Sequence, residues 1–426
     1  MNSQGISSVD RRNAIQRAVG AMLTSAAFSP WLQAMAKTIR SDKVVWGGLG
    51  YSVPAAQVPK LFPNFEAATK ELGGFSKLVS AFTGELSKRY PAGFETDPTK
   101  MLDVRDDPGL MFTVAIDYEQ VIQVPTLDGA GIQMSYLYGT AQVFYLELPR
   151  SGGSSGDLKV LFSFPFRVQS QEAVKPGDKV GQIKAVKRLL TEVNPSLVSH
   201  FGNKVAQRSF AQYFPPKRIK VSSVRFTPEA MNVVKELGIE DRFSELFFGQ
   251  ALTSSLAEHA GISILPYGQS DVLNKGLAER FNRFPNISKI FETLDAPDAN
   301  NYSVELVVHR VLRKPNGSNI ANLLYARGLA CIIKVIDNFD PAKKVIFEKT
   351  VLFIENSELP KAMMDNLKDF DLKSLVQMAI YTFDTFAQAV ATGSADKMKA
   401  IGLKADADSA ALKELNAIFD QCRYSS

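Results

Sequence analysis

The chain has 426 residues, 45% hydrophobic and 10% aromatic, which is enough apolar material for more than one core and excludes general disorder. Lys and Arg number 49 against 44 Asp and Glu, a formal charge of +5 with no concentrated basic stripe, which argues against a dedicated nucleic-acid binder. Two cysteines, Cys331 and Cys422, are too few for a disulfide framework or a zinc site; Cys331 reads as a buried small hydrophobe, and a bridge between the two stays open.

Residues 1–36 have the three parts of an export signal. Arg11 and Arg12 form the charged part, Ala18 to Leu32 the apolar part, and Ala34-Met35-Ala36 the small-x-small end that a signal peptidase cleaves. The pair Arg11-Arg12 before Asn13-Ala14-Ile15-Gln16 is similar to a twin-arginine signal, with Ala14 and Gln16 departing from it. The chain is therefore expected to work outside the cytoplasm, in the periplasm or secreted. No later segment is long and apolar enough for a membrane-spanning helix.

Hydrophobic periodicity divides the remainder into two halves, 37–214 and 215–393, with a helical extension over 394–426. The first half opens on a short strand at Lys43–Trp46, closed by a turn at Gly47-Gly48. A helical stretch over 57–90, three long strands (Leu110–Val124, Met134–Leu148, Leu158–Gln169) and a helix over 180–207 follow. Ser151-Gly-Gly-Ser-Ser-Gly-Asp157 is a flexible hairpin loop, and Asp103, Asp106 and Asp107 read as solvated turn residues. Pro215-Pro216 marks the boundary. The second half repeats the order: a strand at Arg218–Phe226, helix from Pro228 after the N-cap Thr227, and a brief strand at Ile262–Pro266. It continues with a helix over 270–283, strands at Tyr302–Arg313, Leu324–Asn338 and Lys343–Ile354, and an apolar helix over 371–393. The expected fold is α/β (α+β): two tandem related domains, each a mixed, mostly antiparallel sheet with helices packed on it.

Two stretches match between the halves at residue level. Tyr136-Leu-Tyr-Gly139 aligns with Tyr325-Ala-Arg-Gly328, an offset of 189, and Lys159-Val-Leu-Phe162 with Lys344-Val-Ile-Phe347, an offset of 185.

No motif carries recognisable catalysis. His200, His259 and His309 lack metal-ligand spacing, and no nucleophile elbow or phosphate loop occurs, so no catalytic, cofactor or metal residue is assigned and a non-enzyme is expected. The aromatic hairpin from Met134 to Gln169 is expected to pack on the helices of the first half in preference to facing lipid.

Arg218–Phe226, Leu246–His259, Ile262–Pro266, Ser270–Phe281, Tyr302–Val311 and Cys331-Ile-Ile-Lys-Val-Ile-Asp337 followed by Lys344–Val351 carry a family pattern. In that order the second half resembles the family of the TolB amino-terminal domain and the curli secretion channel subunit, and the first half is similar to it only as a divergent duplicate. The resemblance implies a non-enzymatic module for protein binding and assembly among envelope proteins. The alternatives are a carrier of an apolar ligand held between the aromatic hairpin and the first-half helices, and an enzyme whose site gathers His and carboxylates distant in sequence.

Overall fold

The computed structural model describes residues 44–53, 55–90, 94–95, 109–147, 157–206, 217–239, 241–268 and 301–423, all within one compact unit. The export signal with Arg11, Arg12, Ala34 and Ala36, the Asp103–Asp107 turn and the helix expected over 270–283 lie outside the described residues.

The first half contains β1 (Val44–Tyr51), helices α1 (Pro63–Glu71) and α2 (Phe75–Arg89), and β2 (Phe94–Glu95). The meander β3 (Gly109–Val124), β4 (Ile132–Glu147) and β5 (Asp157–Ala173) follows, then α3 (Lys179–Thr191) and α4 (Leu197–Phe201). Pro195, which has no N–H to donate, separates the last two helices where the sequence pattern suggests one. The glycines after Trp46 do not make the expected turn. Strand β1 runs through them, with Gly47 as the extra residue of a bulge against β3. A Cβ there would lie 2.7 Å from the Thr113 side chain, so only glycine lets the two strands approach.

The second half contains β6 (Ile219–Phe226), α5 (Pro228–Glu236), α6 (Asp241–Ala260), β7 (Ile264–Leu265), the meander β8 (Tyr302–Ser318), β9 (Asn322–Asp337) and β10 (Val345–Pro360), then α7 (Leu367–Thr392), α8 (Ala395–Ala400) and α9 (Ala405–Cys422). The sheets run β2-β1-β3-β4-β5 and β7-β6-β8-β9-β10, each with a parallel start and an antiparallel meander, as the α+β expectation requires.

The likeness extends to the bulges. Gly47 in β1 and Ser222 in β6 are extra residues at the same register position, as are Asp117 in β3 and His309 in β8, and Leu161 in β5 and Ile346 in β10. Pairing therefore equates Leu110 with Tyr302 and Gly139 with Cys331, an offset of 192, while Phe162 and Phe347 keep the offset of 185. The match of Gly139 with Gly328 is thus three residues out of register. An odd slip would put every side chain on the wrong face, so that similarity is coincidental.

The halves stack as layers. One face of the first sheet carries Phe164 and Phe166, stacked on His200, and Trp46, whose ring lies 5.9 Å from Phe82 of α2. Its other face presents Tyr118 and Tyr138 to Phe247 of α6, 6.1 and 6.3 Å away. Helices α6 and α7 also cover the inner face of the second sheet, through Phe226–Phe248 and Phe347–Phe386 contacts at 5.3 and 5.8 Å. The order is helices, sheet, helices, sheet, and α6 and α7 are apolar on nearly all sides because both sides are buried. Helix α9 is part of this body: it buries Leu412, Leu415, Ile418 and Phe419, and its last turn accepts the Lys217 and Ser263 N–H groups.

Candidate functional site

Charged side chains meet where β5 passes along α6 and α7. Arg167 projects from β5 into this layer and donates to Asp384 of α7 at 2.8 Å. Ser255 Oγ donates to Asp384 Oδ1 at 2.6 Å, and His259 Nε2 lies 3.3 Å from the same oxygen. Glu258 Oε1 accepts the backbone N–H of Arg167 at 2.7 Å. Burial pushes the Asp384 carboxyl up, but the His259 hydrogen bond, the Arg167 charge and the Ser255 hydroxyl outweigh it and hold it below the usual range. Burial pushes the Glu258 carboxyl up against the pull of Arg167. His200 Nε2 stands 3.8 Å from Glu258, too far for a hydrogen bond, and burial with the nearby Lys204 and Arg167 charges pushes its pKa down to about 4.

The structure thus brings His259 to Asp384 within this layer and His200, from the opposite face of the first sheet, to 3.8 Å from Glu258, while His309 sits apart in its bulge, exposed. Sequence spacing could not show this, because Arg167 and Asp384 are 217 residues apart. The arrangement is not a nucleophilic triad. Ser255 and His259 both bind the same carboxylate oxygen, and the other ring nitrogen of His259 faces Gln388 at 3.4 Å, so the serine proton has no path to the imidazole. What the cluster does is join the halves.

It also closes an edge. Strand β5 is the border of the first sheet, and its outward N–H positions include 163, 165 and 167. Ser163 N–H donates to Ser263 Oγ at 3.1 Å, position 165 is a proline, and Arg167 N–H donates to Glu258. In the second sheet the residue equivalent to Arg167 is Leu352 of β10, and its N–H is taken by Ile401 O at 2.8 Å.

The outer face of the second sheet is different. Cross-strand pairing sets out four rows of three: Glu305, Lys334 and Glu348; Val307, Ile332 and Thr350; Arg310, Ala330 and Leu352; Leu312, Gly328 and Ile354. Three of the rows are largely aliphatic, with Leu352 and Ile354 40% and 51% exposed. The equivalent face of the first sheet is the one buried under α6 and α7.

Between the aromatic hairpin and the first-half helices, Phe162, Phe164 and Phe166 are at most 1% exposed, and Phe82, Phe201 and Leu189 of the same core are fully buried. Cys331 and Cys422 are both buried and unpaired, and burial raises both thiols, Cys422 to about 12. Among the described residues, no three His, Cys, Asp or Glu side chains are grouped to hold a metal, and no helix is long and apolar enough to cross a membrane.

No protein-family model matches the chain, and no curated protein does. Among solved structures it is similar to the hypothetical protein CT253 of Chlamydia trachomatis, at 13% identity over 42% of this chain and 99% of that one, with a TM-score of 0.25. It is also similar to lipoprotein GNA1162 of Neisseria meningitidis, at 15% identity over 38% and 99%, with a TM-score of 0.20. Scores of this size do not establish a shared fold.

Proposed function

We propose that the chain is an exported, non-enzymatic envelope protein that binds and assembles with other envelope proteins, using the outer face of the second sheet. One observation carries this reading. Within the molecule, the Tyr118–Tyr138 face of the first sheet is a docking face covered by helices α6 and α7, whereas the equivalent face of the second sheet is aliphatic and open at Leu352 and Ile354. Contiguous exposed apolar surface rimmed by charge marks contact sites in proteins. The rim here carries Arg310 with Glu305, Lys334 and Glu348, so an apolar helical segment with its own charges fits it.

The test is made in the native host. A photo-crosslinking residue replaces Ile354, and the mature amino terminus is read by mass spectrometry. The reading expects a species beginning at Lys37 outside the cytoplasm, and one discrete crosslinked envelope protein that is lost in the Leu352→Asp background. An intact Met1 in the cytoplasm, or no crosslink from the exported protein, refutes it.

A further inference from the structure

Two β-hairpins end in turns of the same design. In the first, between β3 and β4, Gly129 N–H donates to Thr126 O at 2.9 Å and Ala130 N–H to Asp128 Oδ1 at 3.1 Å. In the second, between β8 and β9, Asn319 N–H donates to Asn322 O at 2.9 Å, and Asn319 Oδ1 accepts from Ala321 and Asn322 N–H at 3.0 and 2.6 Å. These bonds brace each turn from within, at Gly129 and Ala130 in the first and at Asn319, Ala321 and Asn322 in the second. Each places an aliphatic residue at its second position, Leu127 at 68% exposure and Ile320 at 99%, with nothing packed on it. Asn, Asp, Gly or Pro would serve such a turn better, so the aliphatic side chains have no structural use there.

Both tips point to the same end of the molecule. Strand β8 is parallel to β6, and α6 returns antiparallel to β6, so the second tip lies at the end where α6 begins. Bonds Ser163–Ser263 and Arg167–Glu258 show α6 running antiparallel to β5, and hence to β3, so the first tip lies at that end too. Val174–Pro176, leading into α3, packs on the base of the first tip at Gly131 and brings Val180, 57% exposed, beside it. Lys361 N–H donates to Ala321 O of the second tip at 2.9 Å, and Met364 follows it to the surface. Exposed Lys175, Lys179, Lys314 and Lys361 flank the two tips. Of the nearby acids, Asp128 and Asp178 are held in turn and cap bonds and Glu358 accepts from the Asn322 side chain of the second tip at 2.7 Å, while Asp365 is exposed.

We infer that this end is a peripheral contact for an anionic lipid surface, with the two hairpin tips entering the headgroup layer and the lysines meeting the phosphates. Apolar tips with lysines behind them match the two layers of an anionic interface. The inference is distinct from the protein contact proposed for the second sheet, although Lys314, paired with Ala326, follows the Leu312, Gly328 and Ile354 row of that face.

The test uses the purified protein with vesicles of phosphatidylcholine alone or mixed with phosphatidylglycerol. Cys331 and Cys422 are buried, so in Ile320→Cys an environment-sensitive fluorophore labels the tip selectively. The expected result is a blue-shifted, stronger emission with the anionic vesicles only, reversed by added salt. In sedimentation, Leu127→Asp with Ile320→Asp should weaken vesicle binding by about tenfold or more, and Lys175→Glu with Lys314→Glu should abolish the preference for phosphatidylglycerol. Both positions are exposed, so the melting temperature should not change. Emission from the tip that ignores vesicles, or binding that survives the paired aspartates, overturns the inference and leaves the tips as contacts for a protein.

Discussion

Two buried groups set how stability follows pH. Asp117, the bulge residue of β3, is fully buried with Thr140 donating to it at 2.6 Å, and burial pushes its pKa up to about 7 despite the Thr140 and Ser52 hydroxyls. The folded chain keeps that proton to about pH 7, whereas the unfolded chain releases it near pH 3.8, so stability present below 3.8 is lost as pH rises through 7. Asp117→Asn should remove this loss and raise the urea midpoint at neutral pH. His200 works in the opposite sense. The unfolded chain takes its proton near pH 6.5 and the folded chain only near 4, so stability is full above 6.5 and drains as pH falls to 4. His200→Phe, which keeps the stacking on Phe164 and Phe166, should flatten the acid side of the same curve. At the interface, Arg167→Met strands Asp384 and Glu258 away from their cation, and thermal or urea unfolding should show a loss of about 3–5 kcal/mol. None of these roles could be foreseen from the sequence, because each depends on a partner far along the chain.

Among the elements, helix α1 shows long-range construction. Its N-cap position is Phe62, which offers no side-chain acceptor, and Glu119 of β3 takes that part, accepting Asn64 N–H at 3.1 Å, Phe65 N–H at 2.7 Å and the Asn64 side chain at 2.6 Å. Glu119→Leu should cost about 1–3 kcal/mol in chemical denaturation, and Glu119→Gln less, since one oxygen still accepts. The strands themselves were legible: the long runs of alternating residues from Leu110, Met134, Leu158, Tyr302, Leu324 and Lys343 all became strands, since period-two patterning follows directly from one buried face. Bulges were not legible. They insert a residue without changing composition, and so the sequence alone presents Gly47 as a turn residue and aligns Gly139 with Gly328, three residues from the equivalence that the pairing gives. Tyr302, which pairs with Asp337 as Leu110 pairs with Tyr145, keeps register where residue identity does not.

For the whole molecule, the layered order depends on both halves. Residues 37–214 expressed alone would leave Tyr118, Tyr138 and Arg167 without α6 and α7, and this fragment is expected to aggregate, as light scattering would show. The apolar character of α7 was legible in the sequence, but not that it is shared by two sheets, since hydropathy reports burial and not which surface provides it. The closed border of β5 has a consequence of its own. A sheet with free donors along its rim can grow, strand upon strand, into a polymer of identical chains. Here a serine hydroxyl, a proline and a glutamate occupy three successive outward positions, which blocks strand addition along the middle of the β5 border. Ser263→Ala with Glu258→Ala and Pro165→Val would reopen all three, and incubation with a fibril-sensitive dye should then show slow conversion that the wild type resists. The side chains that join the halves are thus also what stands between this fold and amyloid.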